Sequence, residues 1–368
     1  MRQKNTASQS KLNIPDIEII NLDEDSQDEE NGASSAQGQP SENTAPRHNA
    51  DFLSRINWHI VFLLAIVICV GLVIFRFSNW GTHVPSFFDP DADFDDSDFI
   101  EVLDNMINVA PEYRTDPDGV RTVVVLGNSP FSDNRDADDG VISLVSRMTD
   151  ATIYNCSVAD SHLAASEPMY TADGDPMDAF NLYWLSTLIA MQNTWMCESA
   201  LDVMGDAAPA DARYAYDTLS TLDFQNVDAL VIMYDASDYL EERPLYNEES
   251  PTDIQTFAGN MDASLGLLRS TFPHIRIIVM SPTYAYYVDE NGEYISSDIH
   301  KSCGYSLGTY AGNLERITYM HTLSYLDNIY GTVNEDNASE YLEDHLHLNA
   351  AGRQRLAERF VYALEYFD

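Results

Sequence analysis

"RTVVVLGNSP", residues 121 to 130, places five β-branched or apolar residues in a row between Arg121 and Gly127. A strand with one wet face alternates polar and apolar residues, whereas a short continuous apolar run fits a strand covered on both faces, as in a parallel sheet packed between helices. Three more such runs follow: "ATIYNCS" (151 to 157), "NVDALVIMY" (226 to 234) and "HIRIIVMSP" (274 to 282). Between the last two, Ile254, Phe257, Met261, Leu265 and Leu268 recur at helical spacing, with Thr252 placed to cap the start and Pro273 to end the pattern. Further helices are predicted over about 139–149, 176–192, 208–221 and 307–329. A last helix follows Asn349, with Leu356, Phe360, Ala363, Leu364 and Phe367 on one face. Strands alternating with helices predict an α/β fold, a three-layer α/β/α sandwich around a central parallel sheet, over residues 98–368. In such sheets ligands bind at the carboxyl ends of the strands, so functional residues are sought just after the four runs.

Upstream of this domain the composition changes twice. Residues 1–54 are rich in Asp, Glu, Ser, Asn, Gln and Pro, as in "NLDEDSQDEENGASSAQGQPSENTAPRHNA", and predict a disordered acidic tail. Residues 55–78 hold an uncharged run from Ile60 to Phe75, with Trp58, Arg76 and Trp80 around its edges, and predict one transmembrane helix. Arg47 and Arg55 precede the span, while after Arg76 no Lys or Arg appears until Arg114. This asymmetry predicts an N-terminus on the cytoplasmic side and a C-terminal domain outside the membrane. Residues 79–97 read as an acidic linker.

The net charge of −41, from 60 acidic and 19 basic residues, argues against nucleic acid as a partner and suits neutral or cationic substrates. The acidic tail is open to a cytoplasmic partner. Cys69 lies in the predicted span, and Cys156, Cys197 and Cys303 follow no metal spacing; they allow one disulfide at most. "NCS" at 155 to 157 and "NAS" at 337 to 339 match the glycosylation acceptor pattern, the first at a strand end expected to be buried.

After the first run, "GNS" puts Ser129 at a tight turn directly behind a buried strand. After the second and third stand "NCSVADSH" and "YDASDYL", whose small residues allow backbone N–H groups to approach a common point. Before the last helix stands "DHLHLNAAG", residues 344 to 352. A serine hydroxyl becomes a good nucleophile when an imidazole takes its proton and a carboxylate holds that imidazole in the right tautomer. Asp344 and His347, three residues apart, meet the second need within one turn. His345 and His347 alternate along an extended segment, point to opposite sides and are poorly arranged to share a metal, so no metal or other cofactor is expected.

These four blocks resemble those of the SGNH or GDSL-type hydrolases, flavodoxin-like α/β sandwich esterases and lipases, over about residues 121 to 366. The resemblance implies Ser129 as nucleophile in Gly127-Asn128-Ser129, and Asp344 with His347 as the rest of the catalytic triad. It also implies an oxyanion hole from the amides of Ser129 and of Ala159, where the family carries Gly and Ser157 is the lesser alternative, with help from Ser237, where it carries Asn. Asn128 and Asp238 would be substrate-binding neighbours. The third block, Gly-x-Asn-Asp in the family, reads Asp235-Ala236-Ser237-Asp238, and carboxylates near an oxyanion oppose catalysis unless they point away.

The implied function is a membrane-anchored, extracytoplasmic serine esterase acting on O-acyl groups, such as O-acetyl, of cell-envelope or extracellular polysaccharide. The competing expectation is a catalytically weak relative that binds envelope glycans. Tyr284, Tyr286 and Tyr287, in a tyrosine-rich segment after the fourth run, are either groove residues for such a ligand or ordinary packing.

Overall fold

In a computed structural model of the chain, residues 102–114, 119–169, 171 and 174–367 are described. The predicted tail, membrane helix and linker over 1–97 lie outside the described residues. Among the described residues no helix is long and apolar enough to cross a membrane.

Five parallel strands form the central sheet, in the order β2-β1-β3-β4-β7. They are β1 (Thr122–Gly127), β2 (Thr152–Asn155), β3 (Ala229–Met233), β4 (Arg276–Met280) and β7 (Ser324–Leu326). The first four lie within the apolar runs. Val123 to Leu126, Leu230 to Met233 and Ile277 to Met280 are nearly inaccessible, as strands covered on both faces require. A small antiparallel hairpin, β5 (Tyr287–Val288) and β6 (Tyr294–Ile295), stands apart from this sheet.

The helices of the sandwich include α1 (Ser129–Ser132), α2 (Val141–Met148), α3 (Leu182–Met191), α4 (Trp195–Met204), α5 (Ala210–Thr221), α6 (Ser237–Leu240), α7 (Phe257–Thr271) and α8 (Leu307–His321). They end with the short α9 (Asn328–Gly331) and α10 (Ala338–Tyr341) and the terminal α11 (Ala350–Glu365). Asn349 caps α11 as expected, its side chain accepting from the Ala351 and Gly352 amides. α7 starts later than the pattern suggests: Thr256, not Thr252, is its cap, accepting from the Gly259 amide.

The predicted helix over 307–329 is two elements. Thr322 adopts a left-handed conformation (φ 57°) that ends α8, and Ser324–Leu326 then becomes the fifth strand. No Gly or Pro marks this stop. Helix α4 also escapes the sequence pattern, and the three described cysteines are all free thiols, so the disulfide left open by the sequence is not formed among them.

The outer edge of β7 is covered by the start of the domain. Asn105 and Tyr325 exchange backbone hydrogen bonds of 2.9 and 2.8 Å, and Ile107 is fixed through both its amide and its carbonyl to Ser324 Oγ. Arg359 on α11 joins Asp104 to this edge at 2.7 Å.

Candidate active site

Gly127 closes β1 against the end of β3 so tightly that a Cβ there would sit 1.8 Å from the Met233 carbonyl oxygen. Its φ of +150° likewise suits glycine. The chain then turns, and Ser129 opens α1 with Pro130 at the second helical position. Ser129 is 9 % exposed, at the carboxyl end of the sheet.

From the other side, the segment before α11 brings in His347. Asp344 Oδ1 accepts the amides of Leu346 (2.8 Å) and His347 (2.7 Å), while its Oδ2 lies 2.8 Å from His347 Nδ1. One carboxylate therefore fixes the turn and the ring together and leaves Nε2 as the nitrogen available to a substrate or to Ser129. Partial burial works to raise the Asp344 pKa, but the two amides and the imidazole outweigh it and bring it down to about 2. Burial of the His347 ring favours its neutral form, yet the hydrogen bond and charge of Asp344, with help from Asp133 and Asp235, hold its pKa above the usual histidine value.

Ser129 and His347 line the same cavity, with Asp133, Asp235, Thr283 and Arg353 among its walls. It has about 10 Å³ of room, close to one water molecule. No hydrogen bond joins Ser129 to His347 among the described residues; apo sites of this kind are often loose until substrate binds. Arg353, 5 % exposed, donates to Leu348 O (2.5 Å), Asp139 O (3.0 Å) and Asp139 Oδ2 (2.5 Å). It thereby ties the His347 segment to the loop that follows Ser129.

The remaining expected residues are placed differently. The Ala159 amide, expected in the oxyanion hole, donates to Asp211 Oδ2 at 2.7 Å and is spent. One residue on, Asp160 holds a left-handed backbone (φ 56°), the conformation a glycine would favour, and its amide is engaged by no other described residue. Asn128 is 1 % exposed and acts as an internal staple rather than a substrate contact. Its Nδ2 donates to Asp235 Oδ1 (2.8 Å) and Ser161 O (2.9 Å), and its Oδ1 accepts from the Asp235 amide (2.8 Å). Ser237 sits half-buried at the start of α6, its hydroxyl 3.4 Å from Asn128 Nδ2. Asp238 is fully buried and accepts from the Leu163 and Ala164 amides, both at 2.9 Å, so it too faces inward rather than towards a substrate. Burial pushes its carboxyl up, against the pull of nearby His162 and these amides.

A serine at the exit of β1, an Asp-x-x-His pair before the last helix and a β2-β1-β3-β4-β7 parallel sheet now stand together. The fold is a five-stranded parallel α/β sandwich that brings a serine and a histidine together at one end of its sheet. No protein-family model matches the chain, and no curated protein matches it by sequence. Solved structures similar to this domain include a protein from Lactobacillus plantarum, with 16 % identity, 68 % of this chain and 100 % of that chain covered, and a TM-score of 0.45. Another is described as a possible lipase from Chitinophaga pinensis (14 % identity, 67 % and 98 % covered, TM-score 0.42). A third is a carbohydrate acetylesterase from Sinorhizobium meliloti (13 % identity, 67 % and 100 % covered, TM-score 0.39).

Sequence reasoning passed over Asp133 and Arg353. Asp133 lies four residues after Ser129, one helical turn on, and that spacing was the available signal. Arg353 carries no such signal, because a buried arginine on a helix reads like any surface one. A roomier cavity of about 560 Å³, bordered by Ile107, Arg269 and His321, lies towards the opposite, amino end of the strands and contains neither Ser129 nor His347. Among the described residues no group of three or more His, Cys, Asp and Glu is arranged to hold a metal ion.

Proposed function

We propose that the chain is a serine esterase for small O-acyl groups, held by a helix over residues 55–78 with its catalytic domain outside the membrane. The observation that carries this reading is the shared cavity of Ser129 and His347, with Asp344 bonded to the far side of the imidazole. In this mechanism Ser129 Oγ attacks the ester carbonyl while His347 Nε2 takes its proton. The oxyanion is met by the amides of Ser129 and Asp160, neither engaged by another described residue. His347 then returns the proton to the departing alcohol oxygen, and a water molecule repeats the sequence on the acyl-serine to release the acid. Another hydroxyl in place of that water would make the same residues an acyltransferase.

Acyl groups on envelope or extracellular polysaccharide, with O-acetyl the simplest, suit an enzyme tethered at the cell surface. The acidic tail over 1–54 is left for a cytoplasmic partner. Purified full-length chain in detergent should hydrolyse 4-nitrophenyl acetate, and Ser129→Ala should lose that turnover; equal rates for the two would remove the assignment.

A second reading, a glycan-binding module with little or no turnover, is favoured by one observation. The Asp235 carboxylate borders the nucleophile, where developing negative charge would be repelled. A fluorophosphonate probe separates the two readings: labelling lost in Ser129→Ala supports the enzyme, and absence of labelling with retained glycan binding supports the module.

A further inference from the structure

Four charged side chains line the cavity beside Ser129: Asp133, Asp235, His347 and Arg353. The two that carry or can carry positive charge are already committed. Arg353 spends its guanidinium on Asp139 and on the Leu348 carbonyl, and His347 is held by Asp344. Asp133 and Asp235 form no direct ion pair of their own among the described residues, although both act on His347 and Arg353 acts on Asp133 from a distance.

Asp235 is 3 % exposed, and its Oδ1 accepts only neutral donors, Asn128 Nδ2 and the Ser237 amide, which ease its burial without cancelling its charge. Asp133 is half-buried and accepts no hydrogen bond from a described residue. Burial raises its pKa and the neighbouring Asp235 adds to that effect, while the charges of His347 and Arg353 pull it back in part. These are the marks of two carboxylates that face one small space.

A neutral ester acquires a full negative charge at the tetrahedral stage, and in a poorly hydrated site two nearby carboxylates oppose it. An ester that brings its own positive charge reverses the sign of that interaction and leaves the oxyanion balanced. We propose, on the esterase reading above, that Asp133 and Asp235 select a small ester with a cationic group next to its carbonyl. The charge sits on either the acyl or the alcohol side. With about 10 Å³ of enclosed room, the cationic group lies at the open rim, where the His347 side chain is 40 % exposed.

The test compares charged esters with neutral ones of the same shape: the betaine ester (trimethylammonioacetyl) against 3,3-dimethylbutanoate for the acyl side, and choline acetate against 3,3-dimethylbutyl acetate for the alcohol side. For the full-length chain, kcat/KM is divided by the uncatalysed rate of each ester. The expected result is a preference of about tenfold or more for the charged member of at least one pair, a size typical of one well-placed charge near a protein surface. That ratio should fall towards one in Asp133→Asn, and also at about 1 M salt, where charges are screened within about 3 Å.

Ser129-dependent turnover without preference in either pair overturns the selectivity and leaves the esterase reading standing. So does an Asp133→Asn variant that slows charged and neutral esters equally and moves the acid limb of the pH profile, because Asp133 would then act only through His347. No turnover of any ester, with no fluorophosphonate labelling of Ser129, removes both readings.

Discussion

In the proposed reaction His347 works as a base only while its ring is neutral, and Asp344 decides where that range begins. Because the His347 pKa is raised, the acid limb of kcat/KM should fall above the ordinary histidine value of about 6.5. Asp344→Asn should move that limb down and lower kcat by about 10³- to 10⁴-fold, the loss known for serine triads, which steady-state rates between pH 5 and 9 will show. The pair adds little to stability, since both side chains are more than a third exposed and such pairs contribute about 0–1 kcal/mol. What His347 contributes is complete below about pH 6.5 and is lost as pH rises through its raised folded value. What Asp344 contributes is complete above about pH 4 and is lost as pH falls towards about 2. Asp344 and His347 are legible in the sequence because their geometry is local, a single turn that needs no tertiary contact. The proposed oxyanion donor is not, since it depends on backbone conformation: the resemblance singles out Ala159, whose amide is engaged by Asp211, while the left-handed residue is Asp160, one of the few side chains that tolerates it.

At the next scale, the strands hold the site because they approach one another closely at its base. Gly127→Ala would drive a methyl group into the Met233 carbonyl in a backbone region that disfavours side chains, so urea unfolding should show a loss of about 3 kcal/mol or more. Arg353→Met keeps the bulk but leaves Asp139 and the Leu348 carbonyl without their donor. A loss of about 2–4 kcal/mol is expected, with kcat falling because the segment carrying His347 loses its tie to the Ser129 side. The four long apolar runs announce their strands because nothing else explains four to six such residues without a polar break. β7 is three residues long and follows a helix with no Gly or Pro between them, so period alone extends that helix through it. What ends α8 is Thr322 in a left-handed turn, with the Leu323 amide reaching back to the Thr318 carbonyl, a tertiary choice that composition does not reveal.

For the whole molecule, the parallel sheet and its helical layers follow from the order of runs and amphipathic stretches, whereas the electrostatic character of the cavity follows from neither. A net charge of −41 says that the surface is acidic, not that two carboxylates line the cavity of Ser129 and His347. The strap formed by residues 103–107 on β7 has a practical side. A sheet whose last strand is bare offers its amides and carbonyls to any other chain, including another copy of itself. A soluble fragment cut at residue 98 keeps that margin sealed and should run as a monomer in size-exclusion chromatography, whereas one cut at residue 111 should self-associate or precipitate. Where the knife falls within some dozen residues thus decides whether a truncated protein can be handled in solution at all.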